Sequence, residues 1–151
     1  MPRTAIRLGF LGLAPLAISA LVSLSRHEGT ALLGGVSFAI YAAAMLSFLG
    51  GVRCGFELIR APEAPNGLRL MFSALPALSG WLLALLVIAW PGAMPMEAAF
   101  AGLFALQQLW DRRSAADAGA PAWYPPLRQV LTGGAMVICL LIPLASVLNQ
   151  Q

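Results

Sequence analysis

Arg53, Glu57 and Arg60 stand four and three residues apart in SFLGGVRCGFELIR, residues 47–60, directly after two adjacent glycines that close a long apolar run. On a helix this spacing puts one carboxylate between two guanidinium groups on a single face. Two chemistries fit. One is an anionic site, for a lipid headgroup or a partner's carboxylate, built on Arg53 and Arg60 and oriented by Glu57. The other is a topology anchor whose cations snorkel to a membrane surface. An exposed pair of this kind contributes only about 0.3 to 0.5 kcal/mol, so the fold does not rest on it.

The remaining reactive side chains are few. Glu97 follows Pro95 in an apolar setting. Either it meets the positive end of a helix dipole or it is an intramembrane acid, a candidate proton or cation site. Cys54 and Cys139 are expected half a bilayer apart and therefore unbonded. His27 is the only histidine, and no CxxC or HxxxH accompanies it. Zinc, bis-histidine haem and iron–sulfur ligation thus lack ligands, and phosphate loops and dinucleotide fingerprints are missing. The expectation is a non-enzymatic chain with no catalytic residues, no metal site and no cofactor.

What must position these groups follows from composition. Hydrophobic residues make up 60% of the 151 and charged residues 10%, against about 45–50% and about 25% in soluble domains. Uncharged runs cover 8–25, 29–52, 70–96, 98–110 and 129–151. All but the fourth exceed or approach the roughly 20 residues that cross a bilayer. Backbone groups in lipid must be satisfied internally, which favours helices. The reading is a single all-α transmembrane domain, 1–151, a bundle of five helices near 6–25, 30–52 (extending to 60 in one version), 69–90, 95–110 and 129–148. The first segment carries signal-like features and is expected to be retained as an anchor.

Every cation is arginine. With five spans, Arg3, Arg7, Arg53, Arg60, Arg69, Arg112, Arg113 and Arg128 share one side and only Arg26 lies opposite. That bias places the N-terminus in the cytoplasm and the C-terminus in the periplasm. A re-entrant fourth segment keeps those arginines inside and returns the C-terminus to the cytoplasm. The net charge of +3 is accounted for by this threading and requires no nucleic-acid partner. An arginine-only, Ala/Gly/Pro-rich composition points to a GC-rich bacterial genome.

Within the helices, Gly35, Ala39, Ala43, Ser47, Gly51 and Gly55 recur every four residues, a small-residue strip suited to close helix packing. Pro15, Pro76 and Pro143 fall inside helices one, three and five and should free the carbonyls of Leu11, Phe72 and Cys139. Trp90, Trp110, Trp123 and Tyr124 sit near helix ends as membrane-belt residues do. Tyr41 and Trp81 lie deeper, where their polar tips need partners such as serine hydroxyls.

Tyr41 with LSFLGGVRCGFEL (46–58), PALSGWLLALL (76–86), Asp111 and WYPPLRQVLT (123–132) together resemble the transmembrane protein 69-like family over essentially the whole chain. The resemblance implies a small multi-pass protein of bacterial inner membranes with mitochondrial relatives, and it leaves activity open. Its characteristic positions here are Ser47, Phe48, Leu49, Gly50, Gly51, Arg53, Gly55, Gly80, Trp81, Asp111, Trp123, Tyr124, Leu127 and Arg128, while Cys54 replaces an expected aromatic. It further implies a salt-bridged cluster of Arg53, Asp111 and Arg128 with Glu57, capped by Trp123 and Tyr124. The functional expectation is an accessory or assembly subunit of a larger membrane complex, respiratory by preference, whose partners are lipid and either a membrane protein or further copies of itself. A small oligomeric carrier or channel, and anionic-lipid binding at the arginine face, are the alternatives.

Overall fold

The structure, a computed structural model, describes residues 3–90, 96–117 and 120–148. Pro95, expected to open the fourth helix, lies outside them. Five helices follow in order: α1 Arg3–Ser23, α2 Glu28–Arg60, α3 Gly67–Ala89, α4 Met96–Asp117 and α5 Tyr124–Leu148. Four of them, α1, α2, α3 and α5, are long and apolar enough to cross a membrane. The expected bounds hold to within a few residues except at two ends: α4 runs on to Asp117 and α5 starts at Tyr124 rather than 129. Pro125 and Pro126 fall in the first turn of α5, where their missing N–H groups have no intrahelical role.

Local chemistry sets the boundaries. Helix α2 continues past the apolar run to Arg60, and Ala61 leaves the helical region (φ −137°, ψ 67°) because the ring of Pro62 crowds the residue before it. With 33 residues, α2 is about 50 Å long, well beyond a hydrocarbon core of about 30 Å. Helix α3 opens on Asn66, whose side-chain oxygen accepts the Arg69 N–H at 3.2 Å, satisfying one of the donors left at a helix start.

The helices pack as a ring. Each contacts its neighbours in sequence, α1 closes onto α5, and α2 meets α4 across the middle. Odd-numbered helices run one way and even-numbered ones the other. Thus Gly34 of α2 meets Val22 and Ser23 of α1, Gly50 meets Ser73 of α3, and Gly80 of α3 meets Ala43. Helix α4 lies parallel to α2, with Phe100 edge-on to Phe38 (centroids 6.1 Å apart) and Asp111 beside Arg53. Leu16, Phe38, Leu46, Phe100, Phe104 and Cys139 fill the centre without exposure.

Large apolar side chains cover the outside as well: Leu8, Leu33, Ile40, Phe48, Leu78, Trp81 and Leu141 are all exposed. A soluble monomer does not carry apolar surface on this scale, whereas lipid solvates it. Tyr41 solves its buried hydroxyl differently from the serine pairing expected, donating to the Gly12 carbonyl of α1 at 2.7 Å. Trp81 faces outward, 59% exposed. The prolines sit inside α1, α3 and α5 as read, and Cys54 and Cys139 are free thiols.

The small-residue strip is corrected by one position. Ala39 is buried and Ala43 touches α3, but a Cβ at Gly35, Gly51 or Gly55 would meet nothing within 4 Å. Ser47 and Gly51 are exposed. The close approaches belong to Gly34 and Gly50, on the face that also carries Phe38, Ala42 and Leu46. Small residues alternate with large ones on that face, so a search for small side chains every four residues selects the neighbouring row. Gly50→Ala is therefore expected to lower thermal stability in mild detergent, by about 1–3 kcal/mol, as overpacking does. Gly51→Ala should be neutral or gain up to about 1 kcal/mol from helix propensity. Equal effects would refute the assignment of the contact face.

Candidate functional site

Asp111, toward the C-terminal end of α4, faces inward between Arg53 of α2 and Arg128 of α5. Its carboxylate accepts from Arg128 Nε at 3.1 Å and Nη2 at 2.9 Å, both at Oδ2. Gln107, one turn earlier, donates its Nε2 to Oδ1 at 3.1 Å. Arg53 Nε lies 3.8 Å from the same oxygen. All three charged side chains are nearly buried, 10–12% exposed. Arg53 also lies over the indole of Trp110, 4.1 Å from its centroid, a cation–π contact. Trp110 in turn leans on Phe72 of α3, centroids 5.4 Å apart.

Burial pushes the Asp111 carboxyl above its usual range, and Arg128, Arg53 and Gln107 pull it down. Desolvation is the larger effect, as expected where a charge is taken out of water. Removing one partner strands buried charge.

Glu57 does not join this group, contrary to the expected shared cluster. One carboxylate serves a second centre: Arg60 Nε lies 3.3 Å away, Arg69 Nη1 lies 3.7 Å away, and the Asn66 N–H donates at 3.0 Å. Glu57 thus ties the end of α2 to the start of α3. Arg53 and Glu57, one turn apart, engage different helices, so the expected three-residue ladder is divided between two centres. Tyr124 packs edge-on against Phe56 (5.3 Å) and Trp123 against Tyr124 (6.2 Å). The Tyr124 hydroxyl lies near enough to Arg128 and Asp111 to feel their charges. Glu97 lies in the first turn of α4, half-buried, toward the opposite end of the bundle.

Sequence reasoning brought Arg53, Asp111 and Arg128 to one end and missed Gln107, Arg69 and Asn66. The Gln107–Asp111 spacing of four residues was a usable signal. Asn66, a capping residue type just before an apolar run, was another.

Apolar outer surfaces on helices of membrane-spanning length, with most of the arginines at one end, define a multi-pass helical membrane protein. A family model described as "Protein of unknown function (DUF3429)" matches residues 1–145. The chain belongs to that family. It is also 33% identical over 134 residues to Transmembrane protein 69 of Xenopus tropicalis, an alignment covering 87% of this chain and 50% of that protein. The transmembrane protein 69-like resemblance read from the sequence is thereby shown. The chain spans about half the length of this relative. No solved structure matches.

Asp111→Asn should cost about 3–5 kcal/mol in detergent, the penalty for uncovering buried guanidinium groups. A double-mutant cycle of Asp111→Asn with Arg128→Met should show strong coupling between the two positions. Additive losses would mean that the ion pair does not organise this end of the bundle.

Proposed function

We propose that this chain threads the bacterial inner membrane five times, N-terminus cytoplasmic, and serves without catalysis as an accessory or assembly subunit that seats a transmembrane helix of a larger complex. The carrying observation is a lateral cleft of about 390 Å³ between α3 and α4. Leu75, Leu78, Leu82, Leu103 and Leu106 line it, with Gln107 and Trp110 at the charged end. Helices adjacent in sequence here leave a gap on a surface that faces lipid, and a partner helix fits such a gap through close van der Waals contact.

Two features support the threading. Ala99, Gly102, Leu106 and Leu109 form an exposed apolar stripe on α4, while Gln107 turns inward and is 3% exposed. Gln107 and Asp111, two of the polar residues that lower the hydropathy of α4, are thus absorbed by the bundle. The arginine bias then sets the orientation. A filled centre of Phe38, Phe100 and Phe104 disfavours a polar path through one copy. Arg53 and Arg60 already face Asp111 and Glu57, which weakens the case for a headgroup site made from that pair.

Gentle purification from the native membrane should recover a stoichiometric larger complex by mass spectrometry. Ser79→Trp, which fills the cleft from its wall, should release the partner while the thermal stability of the isolated chain stays within about 1 kcal/mol. Recovery of a lone monomer or homo-oligomer would count decisively against the accessory role. For the threading, a reporter fused after Gln151 should be active only on the periplasmic side.

A further inference from the structure

Helix α1 is built in two unlike halves. After Pro15, the residues Leu16, Ser19 and Ala20 are buried, and the backbone at Val22 and Ser23 comes up against Gly34 of α2. Before it, from Arg3 to Ala14, no residue is buried. This first half is an arm laid along the bundle, where Gly9 approaches Leu131 and Leu13 reaches Gly134, both on α5. A segment with so few buried contacts has low local stability. The joint between the halves is weak as well. Pro15 has no N–H to give the Leu11 carbonyl. Ser19 Oγ donates back to the Pro15 carbonyl at 2.8 Å, an arrangement that bends helices. Gly9 and Gly12, both poor helix formers, precede the proline at intervals of three.

A polar contact from α2 pins the arm beside this joint. Tyr41 donates its hydroxyl to the Gly12 carbonyl at 2.7 Å, one residue along from the carbonyl that Pro15 leaves without its helical donor. A single neutral hydrogen bond is strong enough to favour one position of the arm and weak enough to be released. The arm also forms one wall, through Leu8, Gly9, Gly12 and Leu13, of a lateral groove that Arg128 lines from α5. Arg128 is 9% exposed, and withdrawal of that wall uncovers it. We propose that residues 3–14 form a strap that swings about Pro15 between a latched position, held by Tyr41 on Gly12, and an open position in which Arg128 is reachable from outside the bundle.

The test is a spin-label distance measurement on the full chain in phosphatidylcholine nanodiscs. Labels go on Phe10→Cys in the arm and Met71→Cys in α3, both exposed positions. Cys54→Ser removes the half-buried thiol, while Cys139, with no exposure, stays unlabelled. A main distance with a minor second one is expected. Tyr41→Phe keeps the ring and deletes the latch, and should raise the ratio of second to main population about fivefold. Adding Pro15→Ala, which returns the missing N–H, should reverse that rise. A control pair, Ile18→Cys with Met71→Cys, reports the other half of α1 and should keep one distance throughout. Phenylglyoxal modification of Arg128, read by peptide mass spectrometry, should rise and fall with the second population. A distribution unmoved by Tyr41→Phe, an equal change at Ile18, no reversal by Pro15→Ala, or Arg128 modification independent of the arm would overturn the proposal. None of these results depends on whether a partner helix occupies the α3/α4 cleft.

Discussion

A single carboxylate, Asp111, meets guanidinium groups from two other helices at one end of the bundle, and the placement of α4 depends on that meeting. Helix α4 carries the least apolar sequence of the five and leaves a cleft beside α3. Lipid exerts little hydrophobic pressure to press it home. The carboxylate cannot remain in so dry a place alone, so it holds α4 against α2 through Arg53 and against α5 through Arg128. The α3/α4 cleft opens beside this junction.

Along the rest of their length the helices are held by shape. Backbone reaches backbone where Gly34 meets the end of α1 and Gly50 meets Ser73. Phe38 and Phe100 interlock across the centre between them. The two mechanisms divide the molecule: close packing organises its apolar length, and charge organises one end. Glu57 repeats the second mechanism on a smaller scale by joining α2 to the start of α3 through Arg69 and Asn66.

The helices were legible because the first two apolar runs end at arginine and the third is broken by Pro91 and Gly92, residues that stop helices or mark the membrane surface for reasons local to the chain. The polar cluster was legible only in part. Arginine threading and the family resemblance brought Arg53, Asp111 and Arg128 to one end, but which acid each arginine meets depends on helix rotation. A spacing of four residues gave Arg53 and Glu57 a shared face, and a modest rotation of α2 was enough to send them to different neighbours. The packing strip was misread for the same reason. Small residues at 35, 51 and 55 face outward or into open space, because close approach needs glycine only at the points of contact and tolerates Phe38 and Leu46 between them.

Composition and the order of charges determined on their own that this is a helical membrane protein, how many helices it has and roughly where they lie, and which end carries most of the arginines. Those properties follow from transfer energies and backbone satisfaction, which act on each segment independently. The tertiary structure alone decided that α4 turns Gln107 and Asp111 inward and that Glu57 and Arg53 part company. Those outcomes depend on the rotation of each helix about its own axis, a quantity that neighbouring helices set together and no single segment encodes.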